Sequence, residues 1–151
     1  MARIVIRSAV AADLPVIAAV MHEAFAGFIP LTGQAPQPLL EDHGKRIEKG
    51  ESPVLLEDEK IIGVAVLVTE SDVPVLRAVA VLPERQSAGH ARRLIAFAEE
   101  EARRRGAGEI RVVVHVTMAK AIRLYRALGY AECRRAEQEG YYRVFMKKRL
   151  A

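Results

Sequence analysis

The stretch from Val79 to Leu94, VAVLPERQSAGHARRL, constrains this chain more than any other. An apolar, β-branched run stops at Pro83, a short polar turn follows, and an amphipathic helix begins. The turn reads Q-x-x-G-x-A, with small residues at Ser87, Ala88, Gly89 and Ala91. Small residues let a backbone approach a ligand closely, and the first amides of a helix lack an intrahelical partner. Those free N–H groups, with the positive end of the helix dipole, make a site for phosphate. The turn is neither the G-K-S/T of a P-loop nor the G-x-G-x-x-G of dinucleotide folds. Taken alone, it is also what any strand-to-helix turn needs.

At 151 residues the chain is expected to form one domain over 1–151, long enough to bury a core without staples. The single Cys133 excludes an internal disulfide and provides no metal cluster. Met1-Ala2-Arg3 runs directly into a strand pattern, so no signal peptide is read. The longest apolar run, Ile61 to Val68, is too short to span a bilayer. A cytoplasmic protein without a membrane partner is therefore expected. Lys and Arg exceed Asp and Glu by 23 to 19, a net charge of +4. The basic residues are dispersed without aromatic interleaving, which argues against nucleic acid as a partner. Arg103-Arg104-Arg105 follow Glu99-Glu100-Glu101 on one helix and read as a solvated face. The mild basic bias suits a polyanionic cofactor.

Residues 3–7 alternate as a strand. Asp13 is placed to cap a helix whose first turn holds Pro15 and whose apolar face carries Leu14, Ile17, Ala18, Met21 and Phe25. The glycines and prolines of 27–38 predict a loop or lid, and a short helix over 39–49 ends at Gly50. Residues 53–57 and 60–69 form a hairpin about Asp58-Glu59, and 74–82 form the next strand. The helix after the turn buries Ala91, Leu94, Ile95, Ala98 and Ala102, and Gly106 closes it. Strand 109–116 is followed by a helix with Met118, Ala121, Ile122, Tyr125 and Leu128 at helical spacing, stopped by Gly129. Strands 130–136 and 141–149 join through Glu139-Gly140. The order β-α-α-β-β-β-α-β-α-β-β predicts an α/β chain: a central mixed sheet flanked by helices on both faces.

Two motifs carry a family resemblance. The strand, V-x-P and Q-x-x-G-x-A turn resemble the acyl-CoA pyrophosphate loop of the GNAT N-acetyltransferases. The segment from Ala121 to Tyr130, AIRLYRALGY, is similar to that family's A-x-x-L-Y-x-x-L-G-F/Y signature. The element order also resembles the GNAT fold over nearly the entire chain. The resemblance implies an acetyl-CoA-dependent N-acetyltransferase that needs no metal. It implies that the backbone of Val79, Ala80 and Val81 pairs with the pantetheine arm, with an amide near Val81 facing the thioester carbonyl. Gln86, Ser87, Ala88, Gly89, His90, Ala91 and Arg92 would hold the pyrophosphate. Tyr125 would stand beside the sulfur as general acid, best as a hydrogen-bond donor because a tyrosine near pKa 10 protonates a thiolate near 8.5 only uphill, by roughly 2 kcal/mol.

The chain departs from the family pattern in several places. Ser87 and Ala88 stand where many members carry Gly and then Lys or Arg, leaving Arg85, Arg92 or Arg93 as substitute cations. Met118 replaces a frequent asparagine and reads as packing. His90 occupies an aliphatic position, where its backbone amide still suits phosphate. Val113 aligns with a glutamate that some relatives use as base, so His115, on the same strand face, becomes the side-chain candidate. An exposed or structurally satisfied histidine is the alternative, and Glu70, Asp72 or an ordered water are the others.

The acceptor site is expected between the first two helices, the loop 27–38 and the point where strand 74–82 splays from its neighbour. Phe25, Phe28, Ile29, Leu31 and Leu39 make that region apolar, with Glu41 and Asp42 adding acid. A small amine with an apolar or amphipathic body fits these residues. The rival readings are a protein or peptide acetyltransferase and a non-catalytic CoA-binding module. The resemblance also implies a homodimer.

Overall fold

The computed structural model describes residues 2–138 and 140–150, so Glu139, half of the expected final turn, lies outside the described residues. Seven strands form one sheet: β1 (Ile4–Ser8), β2 (Pro53–Glu57), β3 (Lys60–Glu70), β4 (Val73–Val81), β5 (Glu109–His115), β6 (Ala131–Gln138) and β7 (Tyr141–Arg149), ordered β1-β2-β3-β4-β5-β7-β6. Every neighbouring pair is antiparallel except β4 and β5, which run parallel. The mixed sheet predicted by the element order is present. Two-residue turns close its first hairpins: Asp58 and Glu59 join β2 to β3, and Ser71 and Asp72 join β3 to β4, all with positive φ as such turns demand.

β3 is the spine. Ile61 to Val68 are buried without interruption, residues of both faces included. Such a strand must be covered on both sides. α1 (Leu14–Phe25) and α5 (His90–Arg104) pack on it and on β4. α5 buries Leu94, Ile95, Ala98 and Ala102 as its spacing predicts, and α6 (Ala119–Ala127) buries Ile122 and Tyr125.

The N-terminal third differs from its sequence pattern. α1 buries Ile17, Val20, Met21 and Phe25, whereas Leu14 and Ala18 face solvent. The i, i+3, i+4 stripe therefore starts at Ile17, not Leu14. Asp13 does not cap α1. Its carboxylate accepts N–H groups from Val10 (2.9 Å) and Arg7 (2.8 Å), securing the short turn Ala11–Asp13 instead. The segment 27–38 is not a loop throughout, because Pro30 and Pro38 open the one-turn helices α2 (Ile29–Thr32) and α3 (Gln37–Leu40), at positions where the missing N–H costs nothing. α4 (His43–Glu48) starts later than expected, where Asp42 accepts the Lys45 amide at 3.1 Å. By length and mean hydropathy of 1.6, the helical stretch Ala11–Thr32 could cross a membrane, yet the inner face of α1 lies on the sheet.

The sheet opens at its centre. β4 and β5 pair only at Val75–Arg111 and Leu76–Val112. At the next residue β4 carries a bulge, with Arg77 left opposite no residue of β3. A bulge increases local twist and bends a strand. From Arg77 onward the strands diverge, and the space between them is the site.

Candidate active site

On one side of the opening lies a groove of about 550 Å³, running from Val79 and Val81 to the 86–92 turn and to the start of α6. The edge of β4 that faces β5 has no strand partner beyond Leu76 among the described residues, so its backbone groups are available to a ligand. Gln86 donates its side-chain N–H to the Val81 carbonyl at 3.1 Å, clamping the turn onto the strand end. The turn then passes through two left-handed residues, Ser87 (φ 68) and Gly89 (φ 85), and delivers the free amides of His90, Ala91 and Arg92 to the groove. Glycine takes that conformation without strain, whereas Ser87 does so at a cost on the order of 1 kcal/mol.

Of the predicted cofactor contacts, Val79, Val81, Gln86, Ser87, Gly89, His90, Ala91 and Arg92 line this groove. Ala80 and Ala88 do not. Ala80 is buried in the core, and Ala88 offers its carbonyl to Arg93 at 3.0 Å. The His90 ring is also buried, its Nδ1 3.1 Å from Arg93 and its Nε2 3.9 Å from Glu57, so only its backbone serves the groove side of the turn. Arg85 is held by Glu57 at 3.0 Å. The cations that line the groove are Arg92 and Lys120, neither ion-paired among the described residues. Lys120 was not legible in advance, because its place depends on how α6 docks. An open strand edge, free helix amides and two unpaired cations fit a long polyanionic thioester such as acetyl-CoA.

Tyr125 is placed by the end of α6. Tyr130 donates its amide to the Tyr125 carbonyl (3.0 Å) and Gly129 donates to Arg126 (3.1 Å), with Gly129 at φ 98. These two bonds form a Schellman cap, whose usual companion is a contact between the residues that correspond to Tyr125 and Tyr130. Those rings meet edge-on at 5.3 Å. Beneath them Tyr130 donates to Glu99 (2.8 Å) and Lys148 donates to the same carboxylate (3.0 Å). Glu99 therefore leaves the solvated charged face to which the sequence assigned it, whereas Arg103, Arg104 and Arg105 pair with Glu100 and Glu101. Burial holds the Tyr125 phenol well above its usual pKa. Its hydroxyl has no hydrogen-bond partner among the described residues.

A second cavity of about 270 Å³ occupies the other side of the opening. Phe25, Val79, Met118, Ala121 and Tyr125 line both cavities, so the two meet at the tyrosine. Met118, expected only to pack, is part of this junction. His115 lines the second cavity, where burial and then Arg143 push its pKa below the ordinary value. The Thr117 amide donates to its Nδ1 at 3.2 Å, and the Thr117 hydroxyl lies 2.9 Å from the same nitrogen. Nδ1 therefore carries the lone pair and Nε2 the proton. Glu70 is the carboxylate lining this cavity, bound to Arg77 at 3.0 Å, whereas Asp72 sits in the β3–β4 turn.

The expected acidic pair is absorbed elsewhere. Asp42 caps α4, and Glu41 accepts Arg46 (2.8 Å) and Arg77 (3.1 Å). Burial alone would raise the Glu41 carboxyl, but these two guanidinium groups outweigh it and hold the pKa low. Phe28 faces the cofactor groove, Ile29 and Leu31 are exposed, and Leu39 packs against the core. A strap over 34–37 is tied to the β6–β7 hairpin, and its Pro36 and Gln37 line the cavity. Gln34 donates to the Gly140 carbonyl (2.9 Å), Tyr141 donates to Ala35, and Arg143 donates to Gln37 (3.0 Å).

The model of the acetyltransferase (GNAT) family matches residues 17–130. Among solved structures, the chain is similar to PaiA N-acetyltransferase from Thermoplasma acidophilum in complex with coenzyme A, with TM-score 0.82 and 17% identity over 97% of this chain and 99% of that one. It is similar to the ribosomal-protein-S18-alanine N-acetyltransferase of Escherichia coli, with TM-score 0.75 and 21% identity over 99% and 95%. The Salmonella typhimurium protein yncA with its cofactor acetyl-CoA gives TM-score 0.74 and 22% identity over 98% and 94%. No curated protein sequence matches. At these identities the structural likeness speaks for the fold, while the family match spans the splayed strand, the phosphate turn and the tyrosine helix. The chain belongs to the acetyltransferase (GNAT) family.

Proposed function

We propose that the protein acetylates the primary amine of a small molecule, with cofactor and acceptor bound together on opposite sides of Tyr125. The strap carries this reading: three hydrogen bonds tie 34–37 to the β6–β7 hairpin beside the cavity, across a path that a bound peptide would need. Acetyl-CoA, bound along β4 and the 86–92 turn, supplies the activated acyl group. The amine nitrogen forms its bond to the acetyl carbon as the C–S bond breaks. Glu70, the carboxylate lining the cavity, takes the amine proton through water. His115 holds its proton on Nε2 and so acts as a donor toward the acceptor, in place of the base its strand position suggested. Tyr125 donates a hydrogen bond to the departing sulfur.

The test is release of free CoA thiol from acetyl-CoA with a panel of small amines and with lysine-bearing and N-terminal peptides. Thiol release with small amines and little with peptides is expected. The reverse would reassign the acceptor to proteins. Saturating acetyl-CoA at 100 times Kd should add about 2.7 kcal/mol to the folded state, and an unchanged Tm with no thiol release would remove the activity altogether.

A further inference from the structure

Among the described residues, the acceptor cavity is lined by three guanidinium groups, Arg77, Arg134 and Arg143, against one carboxylate, Glu70. Arg77 is already balanced, held by Glu41 at 3.1 Å and Glu70 at 3.0 Å. Neither Arg134 nor Arg143 pairs with a carboxylate among the described residues. Arg143 donates to two neutral amide oxygens, Gln138 (3.2 Å) and Gln37 (3.0 Å), which aim the guanidinium without cancelling its charge. Those bonds use two of its five N–H donors. Arg134 lies 4.1 Å above the Phe145 ring, held by its π face.

Strand register explains why these groups converge. His115 stands opposite Arg143 across β5 and β7, Val113 opposite Phe145, and Arg134 opposite Phe145 across β6 and β7. Partners across a ladder project to the same face, so one sheet surface presents two free cations and the imidazole Nε2–H amid aromatic rings. Arg143 is half-buried and Arg134 exposed, and two such guanidinium groups side by side favour an anion that can accept several charged hydrogen bonds at once. A carboxylate takes bidentate bonds from arginine, and the volume of about 270 Å³ suits a molecule the size of a single amino acid.

We propose that the acceptor is a free amino acid, its carboxylate held by Arg143 and Arg134 while its amine points to the junction at Tyr125. The proposal rests on the acetyltransferase reading above and names its substrate class. The common L-amino acids, their primary carboxamides and short peptides with an N-terminal glutamate form the test panel. Thiol release from acetyl-CoA gives kcat/KM, and calorimetry on the CoA-saturated protein gives binding without turnover. Free acids should exceed their carboxamides by about 10–100-fold, the worth of a charged hydrogen bond. Arg143→Gln and Arg134→Gln should each bring the acid-to-amide ratio toward one while acetyl-CoA still raises Tm, which shows that the variants are folded.

Carboxamides that bind and react as well as the acids would overturn the proposal and leave the transferase standing. So would an Arg143→Gln variant that weakens acids and amides alike. Preference for the glutamyl peptides over every free amino acid would move the carboxylate to a peptide side chain and also overturn it. An unmoved Tm with acetyl-CoA and no thiol release from any amine would remove both readings together.

Discussion

Tyr125 is buried, its ring rests on Tyr130, and it lines both cavities. A phenol whose pKa is raised by burial resists ionisation, so in the proposed reaction Tyr125 would stabilise the departing sulfur by hydrogen bonding more than by giving up its proton. Tyr125→Phe removes that donor and keeps the ring. Turnover should fall by about 10²–10⁴ while acetyl-CoA affinity stays close to that of the parent, since the interaction develops with the leaving charge. A parallel rise in KM for acetyl-CoA, read from initial rates, would instead make the tyrosine a binding residue. This residue was legible because its signature is local: a helix turn, a tyrosine and a capping glycine. Arg143 and Arg134 were not, because their convergence depends on the register of β6 and β5 on either side of β7, which only the folded sheet sets. Glu99 hid for a related reason, its carboxylate being indistinguishable in sequence from Glu100 and Glu101.

At the scale of elements, α6 depends on how it ends. Gly129 occupies the left-handed position of the Schellman cap, where an L side chain is strained even though a Cβ would find only the Lys148 side chain at ordinary contact distance (3.5 Å). Gly129→Ala should therefore cost about 1–2 kcal/mol, lowering Tm by roughly 2–8 °C by calorimetry. Activity should fall as well, because the same cap sets the Tyr125–Tyr130 contact. An unchanged Tm would mean that the cap does not hold the helix end. Strands and long helices were legible from their periods and turn residues. The region 27–42 was not, because its prolines start short helical turns that look like loop composition, and Asp42 rather than Leu39 decides where α4 begins.

The molecule as a whole should lose stability on acidification in two stages. His115 has a folded pKa below the usual 6.5, so the unfolded chain binds its proton first. Its contribution is complete above about pH 6.5 and is lost as pH falls from there to the folded value. Glu41 and Asp13 have folded pKa values held low, Asp13 chiefly by its hydrogen bond from Arg7. Their contributions are present above the ordinary carboxylate range and vanish as pH falls through the lowered values. Chemical denaturation from pH 8 to 3 should show both stages, and His115→Gln should erase only the upper one. Retention of the upper stage in that variant would assign it to another group.

The gap between β4 and β5 has a consequence for how the enzyme persists. A sheet with an unpaired edge at its centre is expected to open readily there, and a ligand lying along that edge would act as a replaceable strand. Acetyl-CoA bound as proposed should then double as a folding partner, and slower amide exchange at Arg77 to Val81 on its addition would report the closure. The working lifetime of the enzyme should then follow the supply of its acyl donor: well-fed molecules are expected to be protected, and starved ones to open first.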